Sequence, residues 1–119
     1  MEHRLSTRIL GKLPILVYKR GLPVASGQII NASRRGAFIA TDYDDVALNQ
    51  SIELELCYPG RAGRLKAHIV RKAADGLGVD FDTTEQDALD ISRLLQWLQD
   101  QSAAASFHPP FRQIGRAHV

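Results

Sequence analysis

Six short apolar segments between residues 13 and 81 are separated by turn-forming residues. The segment Ser51–Cys57 alternates strictly, with Ile52, Leu54 and Leu56 on one face, which is the pattern of a strand that is wet on one side. The other five segments are residues 13–18, 24–31, 36–41, 65–70 and 77–81. No helical pattern falls between them, so they predict an antiparallel sandwich or small barrel and exclude a parallel, doubly wound sheet.

One segment near the end of the chain has helical periodicity instead. Its apolar positions are Ile91, Leu94, Leu95 and Leu98, and we interpret Leu89 as an extension of this stripe. Trp97 lies beside the stripe, so we expect it to be half-buried. The spacing predicts a helix over residues 85–101, capped from Thr84, that covers one face or mouth of the β unit.

The length and composition fit one soluble domain. At about 150 residues per domain, 119 residues make a single unit, and 45% hydrophobic with 24% charged residues is an ordinary globular mix. The single cysteine, Cys57, cannot form an internal disulfide and fits a reducing compartment. No apolar run approaches the roughly 18 residues of a membrane span. We therefore expect a cytoplasmic protein without membrane insertion.

The chain divides into a domain over residues 1–101 and a predicted flexible tail over residues 102–119. Within the domain, residues 1–12 are interpreted as an N-terminal arm, 13–81 as the β unit and 85–101 as the helix. The last six residues, 114–119, read as the translation of a common sequencing adapter. We therefore exclude them from functional interpretation.

Basic residues are concentrated in the first third of the chain. Residues 1–41 hold seven basic residues and one acidic residue, a net charge of +6, whereas the rest of the chain has a net charge of −4. Because the whole chain carries only +2, this asymmetry favours a local anion-binding surface over a general nucleic-acid coat. A solvated basic surface is the alternative interpretation.

Residue types that bind metals or carry catalysis show no recognised arrangement. The four histidines have no ligand-like spacing to one another or to Cys57, so no metal site is predicted. His68 falls in a strand pattern and is interpreted as a surface or hydrogen-bonded histidine. There is no nucleotide-binding glycine fingerprint, no Walker loop and no acid–base carboxylate pair. The sequence therefore predicts a binding protein without a cofactor, and not an enzyme.

Two short motifs stand out. The first is Arg4-Leu5-Ser6-Thr7-Arg8, two arginines four residues apart, and the second is Asn31-Ala32-Ser33-Arg34-Arg35-Gly36, of the form Asn/Asp-x-Ser-x-x-Gly. Chance supplies about one arginine pair at that spacing but only about 0.05 copies of the second motif in this composition. Alone, the second motif is also compatible with an ordinary turn.

In this order and on this scaffold, the motifs resemble the signature of the PilZ domain, the bacterial receptor module for cyclic di-GMP. The segments Ala67–Arg71 and Gly78–Phe81 are similar to the family's late strand pair, in which a basic residue precedes a Gly-hydrophobic-x-Phe strand. The resemblance covers about residues 4–101. It implies an all-β dominated fold, a six-stranded antiparallel β-barrel with one C-terminal α-helix packed on it.

The resemblance also implies a site for cyclic di-GMP. Its expected residues are Arg4, Arg8, Asn31, Ser33 and Gly36. An arginine fork can bind phosphate or the O6/N7 edge of guanine, or stack on the base. Asn31, in place of the commoner Asp, and Ser33 offer short side chains to the guanine N1/N2 edge or to a phosphate.

Three further expectations concern the details of this site. Gly36 would let the backbone approach the ligand or adopt a positive φ. The side chains of Arg8 and Ser33 are expected to lie outside the core. Arg34, Arg35 and Arg71 are second-rank candidates for contact.

We interpret the protein as a receptor whose N-terminal arm becomes ordered on ligand binding. It would then regulate a protein partner in motility, biofilm or exopolysaccharide processes. One alternative is a PilZ-like barrel that acts through protein contact without ligand. A less favoured one is a small-barrel binder of RNA or single-stranded DNA, for which only Tyr18 and Phe38 supply aromatic rings in the basic third. No nucleic-acid polymer is therefore expected as a partner.

Overall fold

The computed structural model describes residues 8–58, 61–82 and 85–106, with the side chains of all of these except 61, 62, 85–87 and 102–106. Six strands form a closed antiparallel barrel in the order β1-β2-β3-β6-β5-β4. The strands are β1 Ile9–Lys19, β2 Leu22–Ala32, β3 Gly36–Ala40, β4 Ser51–Tyr58, β5 Arg61–Ala73 and β6 Gly76–Phe81, and the helix α1 spans Glu85–Ser106. The predicted barrel with one C-terminal helix is confirmed.

The inward-facing residues of the strands fill the barrel with aliphatic side chains. In β4, Ile52, Leu54 and Leu56 are buried while their neighbours are partly exposed, so the alternation predicted from the sequence is confirmed. The other strands contribute Leu13, Ile15, Val17, Ile29, Ile39, Leu65, Ile69, Leu77 and Val79. Among the residues described here, Ser33 is the one buried polar residue.

Bulges interrupt the pairing of β1, β2 and β5. The extra residue is Ile30 in β2 and Val70 in β5, and in β1 the register slips between Leu10 and Leu13. A bulge places two residues of one strand opposite a single residue of its neighbour, which breaks the strict alternation of side chains. As a result, some residues face outward that a regular strand would turn inward.

Helix α1 packs on β1 and β5 through its apolar stripe. Ile91, Leu94 and Leu98 are buried, as their spacing predicts. Trp97 is half-buried, which confirms the prediction, and its ring lies edge-to-face on that of Tyr58 with the centroids 5.4 Å apart. The helix therefore covers the barrel with both aliphatic and aromatic contacts.

The first strand begins earlier than predicted. β1 starts at Ile9, so residues 9–12 of the expected arm belong to the barrel. The backbone N–H of Lys12 also donates a hydrogen bond to Oε1 of Gln101 at 2.7 Å, which joins this part of β1 to α1. The bulge between residues 10 and 13 hides the strand pattern, because the sequence there does not alternate. Residues 1–7 of the arm lie outside the described residues.

The helix also differs from its prediction. It ends at Ser106 instead of 101, because the alanines at 103–105 are strong helix formers. The prediction that Leu89 extends the buried stripe is wrong, since this side chain is 64% exposed. At about 100° per residue, Leu89 lies nearly opposite Leu98 on the helix. The predicted cap at Thr84 and tail residues 107–119 lie outside the described residues.

Candidate functional site

A groove of about 550 Å³ crosses the outer face of the barrel over β2, β3, β6 and β5. The two bulge residues, Ile30 and Val70, line it together with the ring of Phe38. Its polar lining side chains are Arg8, Asn31, Arg71, Asp75 and Asp80. The groove therefore combines two guanidinium groups and two carboxylates with an apolar surface.

The two sequence motifs meet in this groove. Arg8 immediately precedes β1, which pairs with β2 so that Leu10 lies opposite Asn31. The Nε–H of Arg8 donates a hydrogen bond to Oδ1 of Asn31 at 2.7 Å. Because a guanidinium only donates hydrogen bonds, the oxygen of the Asn31 amide must face Arg8 and its NH₂ group must point elsewhere. Two of the five expected site residues are therefore direct neighbours.

Arg8 shares its electrostatic environment with two other charged groups of the groove. Burial of the guanidinium lowers the pKa of Arg8, the negative charge of Asp80 raises it, and the positive charge of Arg71 lowers it. An arginine remains protonated in proteins despite such shifts. Arg8 therefore presents a positive charge to the groove, with Asp80 as the nearby countercharge.

The bulges in β2 and β5 decide which side chains reach the groove. In a regular strand, Asn31 would face the barrel interior, because it lies two residues after the buried Ile29. Because Ile30 is an extra residue in the strand, Asn31 lies on the outer face instead, where Asn31 pairs with Phe38. The extra residue Val70 does the same for Arg71, which lies opposite the partly exposed Gly78.

An aromatic ring and a guanidinium lie together at the centre of the groove. The guanidinium carbon of Arg71 is 5.4 Å from the centroid of the Phe38 ring. Gly78 lies between these residues in the sheet, opposite Phe38 in β3 and opposite Arg71 in β5. A Cβ on Gly78 would come within 3.2 Å of Cβ of Arg71, so glycine leaves room for this packing. A guanidinium over a ring is a planar surface on which a base can stack.

Ser33 is placed differently from what the sequence suggested. Its side chain is only 1% exposed, so the expectation that it lies outside the core is wrong. Its Oγ accepts a hydrogen bond from the backbone N–H of Arg35 at 3.2 Å, and its own N–H donates to the carbonyl of Gly36 at 2.8 Å. These bonds hold the turn between β2 and β3. Contact of Ser33 with a ligand stays a prediction.

Gly36 is required by the packing of two strands. Its φ is not positive, and an added Cβ would collide with the backbone carbonyl oxygen of Val79 and lie 3.0 Å from Oδ1 of Asp80. Gly36 pairs directly with Asp80 across β3 and β6. The glycine therefore allows the close approach of these strands, whereas the sequence suggested approach to a ligand or a positive φ.

The remaining candidates have different outcomes. Arg4 lies outside the described residues, and its contact with a ligand stays a prediction. Arg34 and Arg35 are exposed on the turn between β2 and β3. Arg71, a second-rank candidate in the sequence, lines the groove. The sequence interpretation missed Phe38, Asp75 and Asp80; for Asp80, the available signal was its place between the apolar residues Val79 and Phe81 of a predicted strand.

Other chemistry in the described part of the chain is limited. No group of three or more His, Cys, Asp or Glu side chains there is arranged to hold a metal ion. Nδ1 of His68 and Oδ1 of Asp82 are 2.6 Å apart, which agrees with the interpretation of His68 as a hydrogen-bonded surface histidine. No helix in these residues has the length and apolarity needed to cross a membrane.

Comparison with known proteins identifies both a sequence family and structural relatives. The PilZ domain family model matches residues 2–100. Among curated proteins, no sequence matches the chain. The PilZ domain of CeSA from a cellulose-synthesizing bacterium is similar in structure, with 20% sequence identity and a TM-score of 0.71 over 79% of this chain and 99% of that chain.

An uncharacterized protein from Legionella is a second structural relative. It shares 16% sequence identity and has a TM-score of 0.52, over 82% of this chain and 98% of that chain. At these identities, the two structural similarities support the barrel fold and no particular function. The sequence family is the finding that bears on function.

Proposed function

The chain belongs to the PilZ domain family, and from this premise we propose that it is a receptor that binds cyclic di-GMP in the groove around Arg8 and Asn31. Members of this family are ligand-binding and adaptor modules, known as receptors for cyclic di-GMP. The observation that carries the proposal is the 2.7 Å hydrogen bond between Arg8 and Asn31, because it joins the two parts of the family signature in one groove.

The chemistry of the groove suits the two kinds of group in the ligand. Cyclic di-GMP carries two phosphodiester anions and two guanines. The bond to Asn31 uses one of the five N–H donors of Arg8, which leaves the others for phosphate oxygens or for the O6/N7 edge of guanine. The Arg71–Phe38 pair offers a stacking surface for a base. A volume of about 550 Å³ lies within the range of small-molecule sites.

The groove alone is close to neutral, so basic residues next to it are needed to attract an anionic ligand. Among the described lining residues, Arg8 and Arg71 are balanced by Asp75 and Asp80. A doubly anionic ligand favours a net positive site. We therefore assign the positive excess to the exposed Arg34 and Arg35 on the adjoining turn, and to Arg4.

The same charge balance favours a second candidate function. A groove with equal numbers of described positive and negative lining groups also fits a barrel that acts through protein contact with weak or absent ligand binding. In either case the output is a contact with a protein effector. The ligand-receptor function is preferred because it accounts for the Arg8–Asn31 bond as part of a binding site.

Calorimetric titration of cyclic di-GMP into the protein tests the proposal. Arg8→Ala should weaken binding at least about fivefold, because an arginine contact to phosphate or guanine contributes about 1–3 kcal/mol. Arg93→Ala is the matched control, since it removes the same side chain from α1, where Arg93 pairs with Asp90 at 3.6 Å. This control should bind like the wild type.

Two results would contradict the receptor function. Wild-type protein that releases no heat with cyclic di-GMP, while remaining folded, would leave the protein-contact function as the preferred one. Equal affinities of the Arg8→Ala and wild-type proteins would show that the ligand binds elsewhere on the barrel.

A further inference from the structure

Recognition of guanine in the groove requires a hydrogen-bond acceptor. The Watson–Crick edge of guanine presents N1–H and N2–H₂ as donors, whereas the corresponding edge of adenine has an acceptor at N1. The oxygen of Asn31 is already turned towards Arg8, and the hydroxyl of Ser33 is buried in its turn. The Asn31 oxygen already accepts one hydrogen bond from Arg8 and the buried Ser33 hydroxyl one from the N–H of Arg35, so neither side chain offers the two unoccupied acceptors that N1–H and N2–H of guanine require.

Two carboxylates line the groove and could supply this acceptor, and Asp80 is the better placed. Asp80 faces outward from β6, between the buried Val79 and Phe81. It pairs with Gly36, whose added Cβ would lie 3.0 Å from Oδ1 of Asp80. The carboxylate therefore lies directly over the signature glycine, and it is close enough to Arg8 to raise the pKa of that guanidinium.

Asp75 lies at the other end of the same strand. It is exposed in the turn that precedes β6, five residues from Asp80, which corresponds to about 16 Å of extended strand. Its backbone carbonyl accepts a hydrogen bond from the N–H of Thr41. Asp75 is therefore remote from the Arg8–Asn31 bond and is the competing acceptor from which the test must distinguish Asp80.

We propose that Asp80 is the specificity-determining residue of this site, and that its carboxylate accepts hydrogen bonds from N1–H and N2–H of one guanine of the ligand. This inference rests on the proposed function as a cyclic di-GMP receptor. Within the described residues, the Asp80 carboxylate makes no hydrogen bond that would occupy its oxygens. An adenine in the same position would turn its N1 lone pair towards the carboxylate and be rejected.

The sign of the effect distinguishes this role from simple repulsion. A carboxylate beside a doubly anionic ligand opposes binding through its charge. If Asp80 acted only through charge, its neutralisation would strengthen the binding of every cyclic dinucleotide. If Asp80 accepts two hydrogen bonds from guanine, its neutralisation weakens the binding of cyclic di-GMP, since bonds to charged groups are the stronger ones.

The test measures calorimetric affinities of the wild type, Asp80→Asn, Asp80→Ala and Asp75→Asn for three ligands. Asp44→Asn is the control, because Asp44 is an exposed carboxylate that does not line the groove. The ligands are cyclic di-GMP, cyclic di-IMP, which lacks only the 2-amino groups, and cyclic di-AMP. We expect the wild type to bind cyclic di-GMP about ten- to a hundredfold more tightly than cyclic di-IMP. In both Asp80 variants this ratio should fall to within about threefold, whereas Asp75→Asn and the control Asp44→Asn should retain it.

Each other outcome overturns the inference. A ratio that persists in both Asp80 variants, with cyclic di-GMP bound as tightly or more tightly, shows that Asp80 does not contact the base. An equal loss of affinity for cyclic di-GMP and cyclic di-IMP in the Asp80 variants shows that Asp80 only positions Arg8. Loss of the affinity ratio in Asp75→Asn shows that Asp75, and not Asp80, contacts the base. Wild-type protein that binds none of the ligands refutes the proposed function as well, and thermal melting of each variant verifies that it is folded.

Discussion

Replacing Gly36 with alanine is expected to damage the barrel itself, although this glycine belongs to the ligand signature. The added Cβ would collide with the carbonyl oxygen of Val79, which is backbone and cannot rotate away. The collision can be relieved only by separating β3 from β6 where Gly36 and Asp80 pair. Overpacking a tight site costs about 1–3 kcal/mol, and a backbone collision belongs at the upper end of that range.

This cost can be measured as a shift in thermal unfolding. For a domain of about 100 residues, each kcal/mol lowers Tm by about 4 °C. We therefore expect Gly36→Ala to melt about 8–12 °C below the wild type when unfolding is followed by circular dichroism. An affinity loss in this variant would then be secondary to the change in the strand pair.

Gly63→Ala is the matched control for this prediction. Gly63 also lies in a strand, but the nearest heavy atom to an added Cβ is Oδ1 of Asp90 at 3.9 Å. Because alanine has less freedom to lose than glycine, this variant should melt at or slightly above the wild-type temperature. A Gly36→Ala protein that melts like the wild type would refute the assignment of this glycine to strand packing.

Two further predictions concern the turn and the expected arm. Ser33→Ala should lower the free energy of unfolding by about 1–2 kcal/mol in urea denaturation, because it removes a buried acceptor of the Arg35 N–H. An unchanged denaturation midpoint would show that backbone hydrogen bonds alone stabilise the turn. Amide exchange at residues 9 and 10 should be slow without ligand, since Ile9 pairs with Ala32 within β1–β2. Exchange there that is fast and slows only with cyclic di-GMP would support the original interpretation of these residues as a mobile arm.

The sequence predicted the strands wherever hydrophobic alternation is regular. The predicted segment Ser51–Cys57 is the clearest example, since Ile52, Leu54 and Leu56 alternate with polar or partly exposed residues and enter the core. The same reasoning missed the start of β1, because the bulge between Leu10 and Leu13 interrupts the alternation. The sequence interpretation also placed Leu89 on the buried face of the helix, whereas its side chain is exposed. Leu89 is close to Ile91 in sequence, but a separation of two residues turns it about 200° around the helix axis.

The site was predicted only in part, because much of it depends on contacts between strands. Motif spacing was sufficient to suggest Arg8 and Asn31, which the structure places side by side. Motif spacing could not show that Ser33 is buried. The same motif sequence is compatible with a serine hydroxyl that is exposed to solvent and with one that bonds to the backbone of its own turn. The Arg71–Phe38 pair depends on the bulge in β5 and on the register with β6, which no local pattern encodes.

The closure of the barrel limits how a protein effector can recognise this domain. Each of the six strands has a hydrogen-bonded neighbour on both sides, but β2 pairs with β3 only from Gln28 onward, so its residues 22–27 have a strand partner on the β1 side alone. Within the described residues, an extended peptide could therefore add by β-augmentation only at such partly paired strand ends, and closure protects the fully paired part of the sheet from edge-to-edge aggregation. Elsewhere on the barrel, contact with the proposed protein effector would depend on side chains of the outer face or of the helix, where exchange of a few surface residues can change the effector without changing the barrel.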